Sequence, residues 1–182
     1  SDTSLAAAFL LTIDASTTGI VNAAALTTIT GTAAEINTVY AAGANGTISG
    51  LGNEAVTISD TSLAAAFLLT IDASTTGIVN AAALTTITGT AADINAAYAL
   101  NIAGTIVGLG NEAVTITDTL LAAPFLLAID LSTTGIVNAA ALSTITGVAT
   151  AVETVLQSNG ITHAADIAVS YTHLTLPTIG CV

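Results

Sequence analysis

Residues 1–34 recur letter for letter at 59–92, and a shorter period, the step from Ile29 to Ile58, lies beneath that copy. At the shorter spacing stand Ile29, Ile58, Ile87, Ile116 and Ile145, each preceded by Thr and followed by Ser or Thr. Repetition at this length means that one supersecondary unit is used many times. Each unit then buries its apolar face only against its neighbours. The expected array covers residues 1–168, in repeats at 1–58, 59–116 and 117–168, each of two coils of about 29 residues. The first two repeats differ at eight positions, so the copies read as interchangeable.

Charge excludes whole classes of partner. The chain has no Lys or Arg, twelve acids and a formal charge of −12. Nucleic acids need cations against their phosphates, and an anionic membrane surface attracts them for the same reason. Neither is an expected partner. The longest apolar run, Leu120–Ile129, is about half of what a membrane-spanning helix requires. With 53% hydrophobic residues, mostly Ala, Ile, Leu and Val, and only 3% aromatics, the interior is expected to be tightly stacked rather than bulky. The chain opens in mid-repeat at Ser1 and is read as cut from a longer array, so a missing leader carries no information.

The last stretch departs from the pattern. The next Ile is due at 174, where the chain has Leu174 flanked by His173 and Thr175. Val169–Thr178, V-S-Y-T-H-L-T-L-P-T, resembles the translation of a transposon-derived sequencing adapter. Residues 169–182 are therefore expected to be non-native and to leave the sheets. They contain the sole Cys (Cys181), so neither disulfides nor thiol chemistry is expected of the array.

One unit reads as strand, turn, helix, turn, strand. Leu26–Thr30 is β-branched, with Ile29 facing in and Thr28 and Thr30 facing out. Gly31 ends the strand, and Thr32-Ala-Ala-Glu35 is a capping-box pattern that opens a helix. Ile36, Val39 and Tyr40 follow at helical spacing toward the core, and Gly43 and Gly46 close the helix. In the next copy Thr90-Ala-Ala-Asp93 keeps the charge but shortens its reach. In the alternate unit Thr61 is expected to cap a helix over Ser62–Ile71, apolar on all sides and so buried. Pro124 then falls at the fifth position of that helix in the third copy, where it should kink it or forbid it.

The acids alternate with neutral residues down the repeat. Asp2, Asp60 and Asp118 alternate with Gly31, Gly89 and Gly147, and Asp14, Asp72 and Asp130 with Gly43, Asn101 and Asn159. An acid in every second coil keeps like charges roughly 9.6 Å apart, twice the strand spacing and near the screening length. These residues read first as turn formers. Calcium between coils, on Asn53, Glu54 and Asp60, is the alternative, because calcium collects carboxylate and amide oxygens. Asn22, Asn80 and Asn138 read as a buried turn ladder. His163 has no acid nearer than Asp166, and no nucleophile with a base and an orienting group is apparent. No catalytic, cofactor or metal residue is assigned, and no enzyme activity is expected.

The Thr columns allow a specific second reading. Thr28, Thr30, Thr57, Ser59, Thr86, Thr88, Thr115, Thr117, Thr144 and Thr146 on successive coils would form a two-column array about 7 Å across. Such a face resembles the T-x-T surface of β-solenoid ice-binding proteins, and carbohydrate is the other ligand considered for it. Strand propensity alone also places Thr there.

The unit V-T-I-S-D-T…T-T-G-I-V-N-A…L-T-T-I-T-G-T-A-A-[ED]-[IV]-N resembles the Ala/Thr-rich repeats of very long secreted surface proteins, known chiefly from marine cyanobacteria. The likeness is close over residues 1–147 and looser over 148–168, where Val148 replaces the capping Thr. It implies an extracellular or cell-surface location and a structural or adhesive role. The expected fold is an α/β solenoid, a right-handed stack of strand–helix–strand coils with parallel sheets; an all-β solenoid is the alternative. The expected function is a spacer or adhesin segment whose partners are neighbouring repeats and a surface ligand.

Overall fold

The computed structural model describes residues 2–171. The first repeat contains β1 (Ser4–Ala6), α1 (Ala7–Ala15), β2 (Val21–Asn22), β3 (Thr28–Gly31), α2 (Ala33–Asn45), β4 (Ile48–Ser49) and β5 (Ala55–Ile58). The second contains β6 (Ser62–Ala64), α3 (Ala65–Asp72), β7 (Val79–Asn80), β8 (Thr86–Gly89), α4 (Ala91–Ala103), β9 (Ile106–Val107) and β10 (Ala113–Ile116). The third contains β11 (Leu120–Ala122), α5 (Ala123–Asp130), β12 (Val137–Ala139), β13 (Thr144–Gly147), α6 (Ala149–Gln157), β14 (Ile161–His163) and β15 (Ala168–Tyr171). Among the described residues this is an α/β architecture with parallel sheets, and its six helices replace the all-β alternative.

Strand order shows how the units combine. The sheets run β1-β3-β5-β7-β9, β6-β8-β10-β12-β14, β11-β13-β15 and β2-β4. Leu5 pairs with Ile29, Ile29 with Val56, Val56 with Val79 and Val79 with Ile106. The pairing steps thus alternate. Leu5 to Ile29 and Val56 to Val79 are short, Ile29 to Val56 and Val79 to Ile106 are longer, and all fall short of the step from Ile29 to Ile58. The alternation follows helix length: α2 and α4 have 13 residues, α1 has 9 and α3 has 8.

The expected column of isoleucines does not form. All five are buried to 1% exposure or less, so their inward direction is as expected. Their register is not. Ile58 pairs with Gly31, Ile87 lies in the second sheet between Leu63 and Val114, and Ile145 lies in the third between Leu121 and Val169. The physical reason is a mismatch of periods. Two steps within a sheet lead from Leu5 to Val56, whereas the sequence comes round again only at Leu63. The excess carries Leu63 out of the first sheet to open the second. Helices α1 and α2 accordingly leave strands of the first sheet, whereas α3 and α4 lead into it.

Local chemistry sets the helix ends. Thr32 Oγ1 accepts from the Glu35 N–H at 3.3 Å and the Glu35 carboxylate accepts from the Thr32 N–H at 3.0 Å, completing the capping box. Asp93, one methylene shorter, accepts instead from the Thr90 hydroxyl at 2.8 Å. A second cap comes from the following unit: Asp60 Oδ2 accepts from the Ala33 N–H, and Asp118 Oδ2 from the Ala91 N–H, both at 2.7 Å. Asp60 and Asp118 are therefore negative charges placed at the N-termini of α2 and α4, where the unpaired N–H groups and the helix dipole favour them; the other column differs, Asp72 and Asp130 being the last residues of α3 and α5. Gly46, rather than Gly43, closes α2; Gly43 lies within its last turn.

Helices α1, α3 and α5 begin differently from expectation. Thr61 caps nothing: Ser62–Ala64 are strand, and α3 starts at Ala65 without a side-chain cap. Pro124 is the second residue of α5, where the missing N–H has no intrahelical partner to lose, and the helix accommodates it. Nor are these helices buried all round. Ala65, Leu68 and Ile71 are fully buried, but Phe67 is 45% exposed, and its counterparts Phe9 and Phe125 are more so.

Residues 169–171, expected to leave the sheets, continue them. Ile145 pairs with Val169, Thr146 with Ser170 and Gly147 with Tyr171. An open parallel edge presents unpaired N–H and C=O groups to any extended segment, and Val and Tyr suit a strand. The remainder of the adapter-like stretch, residues 172–182, lies outside the described residues.

Two left-handed glycines make a test of how closely units approach. Gly46 (φ 82°) has nothing within 4 Å of a would-be Cβ, whereas at Gly50 (φ 80°) that Cβ would lie 2.7 Å from the Ala24 backbone. Gly46→Ala should cost about 1 kcal/mol of urea-unfolding stability, for the strained φ alone. Gly50→Ala should cost about 3 kcal/mol or more, because the neighbouring chain must also move. Equal costs would mean that the units are not packed at this distance.

Candidate functional site

The polar centre of the molecule is a buried carboxylate. Glu54 immediately precedes β5, at the end of the turn Gly50-Leu51-Gly52-Asn53, and is 0% exposed. An ion taken from water without compensation is expensive, and this chain has no Lys or Arg to supply it. The compensation comes from neutral donors. Tyr40 of α2 donates its hydroxyl to Glu54 Oε2 at 3.1 Å, and the Gly52 N–H lies 3.0 Å from both carboxylate oxygens. Thr75, beyond α3, donates to the Glu54 main-chain oxygen at 2.7 Å and accepts from the Gly77 N–H at 3.0 Å. A helix, a turn and the following unit are tied at one residue.

The second repeat has the same arrangement. Glu112 is 0% exposed and accepts from the Tyr98 hydroxyl, from the Gly110 N–H at 2.9 Å and from the Asn111 N–H at 3.1 Å. Thr133 donates to the Glu112 main-chain oxygen at 2.7 Å. In the third repeat both partners change together. Leu156 stands one full repeat after Tyr98. β15 meets β13 at Ala168↔Thr144, as β10 meets β8 at Ala113↔Thr86, so Ile167 takes the place of Glu112. The joint loss follows from the energetics, since a buried carboxylate without its hydroxyl, or the reverse, costs more than an apolar pair.

This pair escaped the sequence reading, which placed Glu54 at a solvated turn or on calcium. The signal was present: a Tyr followed at the same interval by a Glu in two repeats, and neither in the third. Burial, and the neighbouring carboxylate after it, raise both the Tyr40 and Tyr98 phenols above their ordinary value; the Thr75 and Thr133 hydroxyls act in the opposite direction. A cleft of about 550 Å³ lies beside the pair, lined by Tyr40, Gly43, Leu51, Gly52 and Ser74 among others, but Glu54 does not open onto it. The carboxylate is a tie between elements and not a base presented to a substrate.

The other candidate residues are dispersed by the register. Thr28 and Thr30 lie in the first sheet with Thr57; Thr86 and Thr88 lie in the second with Thr115; Thr144 and Thr146 lie in the third. Ser59 and Thr117 fall just after β5 and β10. Across the sheets Thr30 meets Thr57 and Thr88 meets Thr115, but Thr28 meets Ala55 and Thr86 meets Ala113. The two-column array is therefore absent: one column is broken by Ala, and the other passes to Asn80 and Asn138. The proposed calcium oxygens are also engaged elsewhere, Glu54 with Tyr40 and Asp60 with Ala33. Asn22, Asn80 and Asn138 each accept from the N–H two positions on, at 3.0 Å, but the expected buried ladder does not form: Asn22 and Asn138 are exposed, and the three lie in different sheets, Asn22 beside Ser49, Asn80 beside Thr57 and Asn138 beside Thr115. His163 Nδ1 lies 2.9 Å from the Ala164 carbonyl oxygen, with no nucleophile in its hydrogen-bonding.

A double-mutant cycle tests the Tyr–Glu tie. Tyr98→Leu and Glu112→Ile should each destabilise by about 1–3 kcal/mol, because each leaves a buried polar partner behind. The double variant should cost less than the sum by about 1–3 kcal/mol; strictly additive costs would show that the two residues are uncoupled.

Alkaline stability gives an independent measurement. A phenol whose pKa is higher folded than unfolded contributes stability that is complete below about pH 10 and is lost as pH rises beyond it. Urea midpoints should therefore fall above about pH 10, and fall less steeply in the Tyr40→Phe/Tyr98→Phe variant. An unchanged alkaline slope in that variant would remove the tyrosines as the cause.

No family model, curated protein or solved structure matches this chain, so its function is argued from its own residues.

Proposed function

We propose that the chain is a spacer or adhesin segment of a large extracellular repeat protein, its units wound as a right-handed α/β solenoid. The observation that carries the proposal is where the polar side chains are spent. Asp60 and Asp118 cap helices of the preceding unit, Glu54 and Glu112 are enclosed by Tyr and backbone N–H donors, and Thr75 and Thr133 bond back across the turn. Groups with chemical potential are consumed in joining one unit to the next. Interchangeable copies suit a role in length, because an active site would single out one copy.

Consecutive helices touch along the chain, α1 with α2 through α5 with α6, which supports continued winding beyond one repeat. Cell-surface or extracellular placement is supported by the resemblance to long secreted Ala/Thr-rich proteins. The charge of −12 without any cation supports partners other than nucleic acid. Among the described residues no helix is long and apolar enough to cross a membrane.

Arrays of two, four and six copies of the repeat, closed with polar capping units, should lengthen in proportion by small-angle scattering, by about 10 Å per copy at two strand spacings. The same arrays should show no hydrolytic or redox turnover. A maximum dimension that does not grow with copy number, or turnover that scales with it, would overturn the proposal.

A further inference from the structure

We infer that the cleft beside Tyr40 is a binding site for a primary carboxamide, held by the Leu51 N–H and C=O. The second repeat supplies the template. There the Asn101 side chain reaches from α4 to the facing turn. Its Oδ1 accepts from the Leu109 N–H at 3.2 Å, and its Nδ2 donates to the Leu109 carbonyl oxygen at 3.5 Å. One amide thus meets both main-chain groups of a single residue. In the first repeat the same turn, Gly50-Leu51-Gly52-Asn53-Glu54, is kept letter for letter, but Gly43 stands in the place of Asn101. Among the described residues nothing hydrogen-bonds to the Leu51 N–H or C=O. Leu51 is only half-buried, and it lines the cleft of about 550 Å³ together with Gly43.

The copies depart from each other at this place. Of the eight differences between the first two repeats, five lie within residues 42–49. Three of these, Gly43, Ala44 and Ser49, line the cleft, and they become Asn101, Ile102 and Val107. The backbone does not require Gly43, which sits inside α2 without a left-handed φ, where glycine costs stability. A Cβ there would come 3.0 Å from Leu51 Cδ1, the movable end of a side chain. The missing side chain leaves room; it relieves no main-chain clash.

Ligand class follows from what the cleft has left to offer. Its hydroxyls already donate within the chain: Tyr40 to Glu54, Ser49 to the Val21 carbonyl at 3.4 Å, and Ser74 to the Thr70 carbonyl at 2.7 Å. Leu51 presents a donor and an acceptor on one residue, and a group with an acceptor beside a donor completes both. A primary carboxamide is such a group, and Asn101 shows it in place. A carboxylate has no proton for the carbonyl, and a chain of −12 repels it. The volume falls within the range for small-molecule pockets, about 300–1,000 Å³, which gives room for the body of a ligand behind its amide. An Asn or Gln side chain on a peptide and a free aromatic amide both carry this chemistry. The inference goes beyond the role in length and does not rest on it, because the site belongs to one repeat.

The Leu51 amide signal of the isotope-labelled full chain should be followed by NMR during titration with three probes. N-acetylglutamine methylamide represents the peptide source and nicotinamide the free one; N,N-dimethylpropionamide, which lacks the N–H, is the control. At least one primary amide should shift the signal saturably in the millimolar range, and the stronger of the two identifies the source. Gly43→Asn should supply the amide from within and weaken that response by about tenfold or more. Its thermal midpoint should equal or exceed that of the parent, as replacing a helical glycine allows. A Leu51 signal unmoved by both primary amides, or moved equally by the dimethyl control, would overturn the inference. So would a Gly43→Asn variant that binds as the parent does or is markedly less stable. None of these failures touches the scaling of length with repeat number, which tests the spacer separately.

Discussion

Parallel pairing between strands far apart in the chain, Leu5 with Ile29 and Ile29 with Val56, governs everything else in this molecule. A strand this short cannot satisfy its own backbone, and each helix has one apolar face to cover. Both needs are met only by the unit before and the unit after. That requirement explains the residue sizes as well as the pattern. Ala7, Ala65 and Ala123 open their helices at 0% exposure. Ala7 lies opposite Gly31 of the neighbouring strand, close enough that a Cβ on the glycine would come within 3.2 Å of it. Larger side chains at these points would hold the units apart and break the ladder.

Electrostatics in a chain without cations takes a distinct form. Carboxylates usually find Lys or Arg; here they find N–H groups at helix starts, N–H groups in glycine turns, and tyrosine hydroxyls. The cap that Asp60 places on Ala33 and the tie between Glu54 and Tyr40 each join elements well separated in the chain. These acids thereby act as fasteners, and the column of Asp60 and Asp118, which first reads as spacing to limit repulsion, is a pair of caps on α2 and α4.

Local features were legible in the sequence because their causes are local. Thr32 and Glu35 form the expected capping box, Ile36, Val39 and Tyr40 face the core, and Thr28–Thr30, Thr86–Thr88 and Thr144–Thr146 are strands with their Ile inward. What the sequence hid depends on distance. The shorter period exceeds every pairing step within a sheet, so it predicted neighbours for Ile29 and Ile58 that neither has. Pro124 was misplaced because β11 takes the residues that an apolar run assigns to a helix. Glu54 was placed in solvent because nothing within its own turn reveals Tyr40 or Thr75.

Two steps of a sheet end at Val56 while the repeat comes round at Leu63, and that mismatch has a consequence for any surface that meets a long array of such units. In the proposed winding, equivalent side chains cannot line up in a straight row; they are set on a spiral, like the thread of a screw. No side of the filament is its front. A tethered rod of this kind would offer its repeated groups to all directions at once, and would engage a partner whatever its rotation about its own axis.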